Sequence, residues 1–262
     1  MPVSTLTGAM TQIPEPEAST SNLSDLLDLF RTVGTGLIIA MVIQTVAWQP
    51  YTIPSASMEP GLVVGDYLVV SKSAYGWSRA SLPFHPPLPP GRLFGRLPDR
   101  GDVVVFRRPS NPRETWIKRV IALPGDRVEV VDGIVIVNDR PLPQRPLGPG
   151  LDLDQPTRPV TRFEERQPGG RGYVTFDGGP GQAGDDRPQI IVPAGQLFVM
   201  GDHRDNSLDS RWGPDVGVGF LPVESLIGEA QLVVASWQPG AALWKPWTWP
   251  RMRAGRFLQP ID

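Results

Sequence analysis

Apolar positions follow two regimes along the chain. From Leu29 to Trp48 they run almost unbroken, and the stretch from Val33 to Gln49 carries no charge. A run that is apolar on every side predicts a helix without a polar face. At about 1.5 Å per residue it is long enough to cross a hydrocarbon core of ~30 Å. Arg31 stands near one end, where its stem can carry the guanidinium to an interface, and Trp48 suits the opposite boundary. Residues 1–28, ahead of the run, are polar and rich in Ser, Thr, Pro and Glu, and read as a disordered tail. Two readings compete with an anchor: a buried soluble helix, and a cleavable signal peptide, because Thr45-Val46-Ala47 loosely fits a small-residue cleavage pattern. The preceding region lacks the positive charge such a peptide has, so an uncleaved anchor over 29–48 is expected.

Past Pro50 the pattern changes to short β-branched runs bounded by Gly, Pro and Asp. Asp66–Ser71, Asp102–Phe106, Trp116–Leu123, Gln196–Met200 and Leu226–Ser236 read as strands. Arg127–Val131 and Ile134–Val137 flank Asp132-Gly133, a dipeptide that tolerates the positive φ angles of a tight hairpin turn. Residues 81–100 are proline-rich, and residues 148–187 are rich in Gly, Pro and Asp; both read as long surface loops. The expected fold is mostly β: one N-terminal transmembrane helix, then a β-rich domain over 49–262. That domain is expected to hold a smaller inserted β region over about 125–195 and long Pro/Gly-rich loops.

Composition mainly excludes. Lys and Arg number 25 against 27 Asp and Glu, with no basic excess of the kind a nucleic-acid binder shows. There are no cysteines, which removes a thiol nucleophile, a Cys-ligated zinc and any disulfide. The only histidines are His85 and His203, too few for a His-rich metal site. The 31 prolines and 28 glycines approach a low-complexity composition, but they concentrate in particular loops.

Three segments hold residues suited to chemistry. Pro54-Ser55-Ala56-Ser57-Met58-Glu59-Pro60 directly follows the apolar run. Its prolines stiffen a turn that can hold a hydroxyl in place, although alone it is also an ordinary Ser-Pro turn. In Trp116–Asp126, strand alternation puts Trp116, Lys118, Val120 and Ala122 on one face and Ile117, Arg119, Ile121 and Leu123 on the other. Lys118 is then either an edge lysine with its ammonium in water or a lysine desolvated enough to be neutral and to accept a hydroxyl proton. Met200–Gly213 is dense in polar groups. Asp202, Asp205 and Asp209 invite a calcium-loop reading, but the spacing departs from the EF-hand and Arg204 and Arg211 would oppose a cation. Asp–Arg pairs bracing a site fit better. Nothing in the sequence ties His203 to Ser57 as a base.

In this order, behind one apolar anchor, the segments resemble the bacterial type I signal peptidases. That family's P-S-x-S-M-x-P pattern is met by Pro54–Pro60, and its K-R-V-x-x-L-P-G-D pattern by Lys118–Asp126. Its G-D-N-R-D-N-S-x-D-S-R pattern is met by Gly201–Arg211, with His203 in place of the asparagine. Gly101–Phe106 also resembles a strand the family shares. The likeness covers about 49–106, 116–137 and 196–235.

The resemblance implies a serine endopeptidase with Ser57 as nucleophile and Lys118 as general base, working through an acyl-enzyme. It implies that Ser55, with the backbone N–H of Ser57, stabilises the oxyanion. Ser207 would hydrogen-bond and orient the lysine. Asp209 and Arg211 would form a supporting salt bridge, with Asp202 and Arg204 in the same network. Ile53, Pro54, Leu62 and Ile117 would line shallow apolar pockets that admit small residues, giving cleavage of the Ala-x-Ala type. The implied partners are preprotein signal peptides emerging from the secretion channel and membrane lipid, with no nucleic acid. No cofactor and no metal are implied. The implied place is the bacterial cytoplasmic membrane, single-pass, with the catalytic domain on the outer face. The charges before the anchor (Glu15, Glu17, Asp25 and Asp28 against Arg31) do not themselves set an orientation.

Two departures stand out: Ala56, where many members have glycine, so the turn must accept a β-carbon, and His203. Near the C-terminus Trp237, Trp244, Trp247 and Trp249 mix with Lys245, Arg251 and Arg253, a composition that suits a lipid headgroup boundary or packing on the β core. Two other functions compete: a Ser-Lys protease that cuts itself, as SOS repressors do, and a non-catalytic anchored β protein that binds exported chains.

Overall fold

The apolar N-terminal run forms one helix, α1 (Ser21–Val46). The structure, a computed structural model, describes residues 21–82, 89, 91–170, 172–242 and 245–261. The chain divides into two units, residues 1–42 and 43–262. Within α1, the 20 residues Ser24–Ile43 are long and apolar enough to cross a membrane, and none of them is buried. The helix starts at Ser21 rather than Leu29, so 21–28 are helical and not tail. Leu26, Leu27, Leu29 and Phe30 extend the apolar pattern, and no Gly or Pro lies between Ser21 and Val33 to stop it. The rest of the expected tail lies outside the described residues.

The second unit is built from antiparallel sheets. In chain order the strands are β1 (Trp48–Thr52), β2 (Asp66–Ser71), β3 (Val103–Arg108), β4 (Asn111–Ala122), β5 (Arg127–Val131), β6 (Ile134–Val137) and β7 (Arg140–Pro141). Then follow β8 (Gln144–Leu151), β9 (Pro159–Arg166), β10 (Gly172–Asp177), β11 (Arg187–Ile191) and β12 (Gln196–Met200). The last are β13 (Leu221–Pro222), β14 (Leu226–Ser236) and β15 (Gln259–Pro260). The main eight-stranded sheet has the order β1-β2-β14-β3-β4-β12-β13, with β15 paired to β14. A four-stranded sheet, β11-β5-β6-β7, and a three-stranded sheet, β10-β9-β8, arise from the chain between β4 and β12.

The unbroken apolar run of β3 is explained by burial on both sides. Val103 and Val105 pack with Ile53, Met58, Leu62 and Ile117, whereas Val104 and Phe106 pack with Tyr75, Val120 and Leu197. Trp116 and Val120 of β4 share that second cluster, as strict alternation expects. Ile121 and Ala122 instead both enter a third cluster with Val128, Val135 and Phe198, where the β12–β4 register shifts. The Asp132-Gly133 hairpin forms, with φ of 48° and 78°.

Two expectations change. The segment 148–187 is not one loop, because β9 and β10 lie within it and β8 ends in it. Composition hid these strands: β9 alternates charged residues with buried Val160, and its Glu165 is itself buried. Gly150 lies on β8 where a β-carbon would come within 2.8 Å of the Phe176 ring, so this glycine permits a close approach inside a strand. β1 was missed because it contains Pro50, which an edge strand tolerates. Of residues 81–100, those at 83–88 and 90 lie outside the described residues; Leu93 bridges Trp77.

The C-terminal tryptophans divide. Trp237 is buried, edge-on to Tyr67 at 5.0 Å, and Arg253 donates to its carbonyl at 2.9 Å. Trp247 and Trp249 are exposed. Trp244 lies outside the described residues.

Candidate active site

Ile53 and Met58 are buried in one apolar cluster, so the chain between them is anchored at both ends. That chain ends in a single 3-10 turn, Ala56–Met58. Ala56 is buried within it, so the turn accepts the β-carbon. Ser57 sits mid-turn, 8% exposed, and Ser55 Oγ lies 3.3 Å from Ser57 Oγ. Ser55 and Pro54 are exposed, which leaves an approach to the hydroxyls from that side.

Lys118 arrives from β4, opposite Val104. It is 4% exposed, and its Nζ donates to Ser57 Oγ at 2.7 Å and to the Ile117 carbonyl at 3.0 Å. Burial pulls its pKa down to about 8; Asp209 and Asp202 oppose this, and Arg211 reinforces it. At pH 8 half the amine is then neutral, against about one in 250 at the ordinary value near 10.4.

Gly201 closes the site. A β-carbon there would fall 2.4 Å from the Ser57 carbonyl oxygen and 2.3 Å from Ser207 Oγ. Ser207 therefore lies beside the serine turn, but its buried hydroxyl has no hydrogen-bond partner among the described residues. The expected bond from Ser207 to Lys118 is not formed, because the lysine directs its contacts to Ser57 and to its own strand.

Around this centre carboxylates and guanidiniums pair in buried, two-pronged fashion. Asp209 Oδ1 and Oδ2 each accept from Arg211 at 2.9 Å, and Oδ2 also accepts the Gly201 N–H at 3.0 Å. Burial alone would raise the Asp209 carboxyl; Arg211, together with the Gly201 and Arg211 N–H groups, holds it low. Asp202 accepts from Arg119 at 2.8 and 2.7 Å, and Arg119 lies 3.9 Å from the centre of the Tyr173 ring. Arg204 pairs with Glu165 of β9 at 2.8 and 2.6 Å. Asp205 accepts the Gly178 N–H at 2.6 Å, so all three aspartates of the calcium-loop reading are engaged by the protein itself.

Of the expected pocket residues, Ile53, Leu62 and Ile117 fall in one buried cluster with Met58, while Pro54 is exposed. Four contributors escaped the sequence: Arg119, Glu165, Asp152 and the backbone of His203. Arg119 follows Lys118 directly, and its neighbour's importance was the available signal. Glu165 and Asp152 sat in the stretch read as loop. His203 is fully buried, its Nε2 3.0 Å from Asp152 Oδ2, and its N–H donates to the Ser57 carbonyl at 3.2 Å.

Comparison with known proteins identifies the family. A family model described as "Signal peptidase, peptidase S26" matches residues 26–237. Signal peptidase I of Rickettsia typhi is 38% identical over 205 residues, 75% of either chain. Signal peptidase I of Rickettsia canadensis is 37% identical over 203 residues, 74% of either chain. A solved signal peptidase I from Enterococcus faecalis V583 is 27% identical and covers 51% of this chain and 97% of its own, with a TM-score of 0.31, too low to bear on the fold.

Proposed function

The chain belongs to the S26 signal peptidases, serine endopeptidases that remove signal peptides, and on that footing we propose that Ser57 and Lys118 form its catalytic pair. The observation that supports this most directly is the 2.7 Å contact between Lys118 Nζ and Ser57 Oγ in a buried setting that favours the neutral amine. Neutral Lys118 takes the hydroxyl proton as Ser57 Oγ attacks the scissile carbonyl. The oxyanion is met by the Ser57 N–H and Ser55 Oγ. The lysine ammonium then protonates the departing amine. A water, deprotonated by Lys118, resolves the acyl-enzyme and frees Ser57. Asp209 and Arg211 fix Gly201, and through it the distance between the Ser207 loop and the serine turn.

The substrate is a signal peptide with small residues before the cut, of the Ala-x-Ala type. Ile53, Leu62 and Ile117 are packed too closely to yield to a large side chain, and overpacking costs about 1–3 kcal/mol. The exposed apolar side chains of Ser24–Ile43 support a single-pass anchor; a catalytic domain on the outer face of the bacterial cytoplasmic membrane is carried over from the family. Substrates then reach the site as they emerge from the secretion channel. The deciding experiment incubates the purified chain with a model preprotein and maps the cut by mass spectrometry. A single cut after an Ala-x-Ala sequence is expected; no cut, or cuts scattered through the mature part, would overturn the reading.

A further inference from the structure

One end of the main sheet holds a cleft that proteolysis does not use. Its volume is about 450 Å³, and Ser78, Arg79, Arg107, Arg108, Arg113 and Glu224 are among its walls. Arg108 is already paired with Glu114, which leaves Arg79, Arg107 and Arg113 against the one carboxylate of the lining, Glu224, an excess of positive charge that an anion would offset. Arg79 and Arg113 are exposed and form no ion pair with any described residue. The Nε atoms of Arg107 and Arg108 are buried without a hydrogen-bond partner among the described residues. Arg108 is held in place by Glu114 at 3.2 Å, by the Asp215 and Val216 carbonyls, each at 3.2 Å, and by the Trp116 ring, 4.6 Å from its guanidinium carbon, so only its Nε is left for a further acceptor. Arg107 is held by Thr115 at 2.8 Å. Planar guanidiniums fixed in this way suit the oxygens of a phosphate group, which they bind in pairs. The nearby buried Lys72, its pKa lowered by burial and then by Arg107, is consistent with an excess of positive charge there.

The location narrows the ligand. Trp48 pairs with Ser71, Ser71 stands level with Glu229, and Leu226 pairs with Phe106. The end of β3, the start of β14 and the first strand residue after α1 therefore share one end of the sheet. Lys72 at that end donates its N–H to the Ala47 carbonyl at 2.8 Å. The apolar span ends at Ile43, and the few residues from there to Ala47 reach at most about 14 Å. Taking Ser24–Ile43 as the membrane span of the proposed function, this end of the sheet lies within reach of lipid headgroups.

We propose that the cleft bounded by Arg79, Arg107, Arg108 and Arg113 binds the phosphate of an anionic phospholipid headgroup. Each arginine near an anionic surface adds to the attraction, so removing two should weaken binding roughly tenfold or more.

The test uses the full chain in non-ionic detergent, titrated with dioctanoyl phosphatidylglycerol, dioctanoyl phosphatidylcholine or inorganic phosphate, with bound molecules counted by native mass spectrometry. Phosphatidylglycerol is expected to bind, phosphatidylcholine at least tenfold more weakly, and the Arg79→Gln/Arg113→Gln variant to lose the preference while cleaving a soluble peptide at the wild-type rate. Equal binding of the two lipids, or an unchanged preference in the variant, would overturn the site. Inorganic phosphate binding as tightly as phosphatidylglycerol would make it a soluble-phosphate site and overturn the lipid assignment. The micelle assay answers whether or not Ser24–Ile43 spans a bilayer, which carbonate extraction of membranes decides separately.

Discussion

The backbone N–H of His203 donates to the carbonyl oxygen of Ser57 at 3.2 Å. The same residue's ring is held by Asp152, whose other carboxylate oxygen accepts the N–H groups of Asp154 and Gln155 at 2.9 and 2.8 Å. Phe176 of β10 closes over the ring edge-on, with centres 5.5 Å apart. Through His203 the inserted region reaches the serine turn, in addition to the Leu153–Glu59 hydrogen bond and the Thr175–Pro60 bridge. The Asp152→Ala variant strands a buried imidazole, an effect worth about 1–3 kcal/mol. We expect a lower melting temperature and a kcat reduced about tenfold with KM little changed. Unaltered melting and kcat would show that the insert does not position Ser57.

Replacing Ser57 or Lys118 by alanine should lower preprotein cleavage by at least roughly a thousandfold, since each removes an essential step. Lys118→Arg should fail equally, because a guanidinium does not give up its proton at usable pH. Cleavage assays with normalised, folded protein check this; a Lys118→Arg enzyme near wild-type rate would remove the lysine from the role of base.

The pH profile of kcat/KM reports the lysine. Its neutral form is the base, and its pKa is lowered to about 8 by burial. Raising pH deprotonates it, so the rate should climb about tenfold per unit below pH 8 and level off above. A rate that is flat or falling from pH 6 to 9 would contradict this assignment.

Gly201→Ala places a β-carbon between the Ser57 carbonyl and Ser207 Oγ. Overpacking of this kind costs about 1–3 kcal/mol and pushes the serine turn away from Lys118. Activity should drop at least about a hundredfold, with a smaller loss of thermal stability. Wild-type kinetics in this variant would show that the two loops separate without consequence.

Glu59 offers a test on stability alone. It is buried beside the serine turn, with Oε2 accepting the Leu153 N–H at 3.1 Å and Oε1 without a partner among the described residues. Burial raises its pKa to about 7, Leu153 opposes this, and Asp152 and Asp154 add to it. The folded state thus holds its proton to higher pH than the unfolded chain. Its contribution is intact below about pH 4.5 and is lost as pH rises through about 7. Glu59→Gln should melt like the wild type near pH 4.5 and be more stable by about 1–2 kcal/mol above pH 7. Melting curves across pH check the sign, and a wild-type advantage above pH 7 would reverse it.

Legibility followed the range of each interaction. The Asp132-Gly133 hairpin was readable because both φ angles are a property of two adjacent residues. Trp116 and Val120 were placed correctly by strand alternation up to the register shift near Ala122, which depends on β12 and so was invisible. β8–β10 were read as loop because their partners are one another, and local composition carries no record of pairing. Arg204 was picked out by its motif, but Glu165, its partner on β9, was not.

By itself the sequence determined an apolar helix, a β-rich body and the residues of three motifs, since periodicity, turn chemistry and residue type are local properties. Tertiary structure alone decided that Lys118 Nζ meets Ser57 Oγ, that the lysine is dry enough to lose its proton near pH 8, and which carboxylate each arginine takes. Those outcomes depend on burial and on register between distant strands. A lysine surrounded by apolar neighbours in sequence is still an ordinary cation until the sheet closes water away from it.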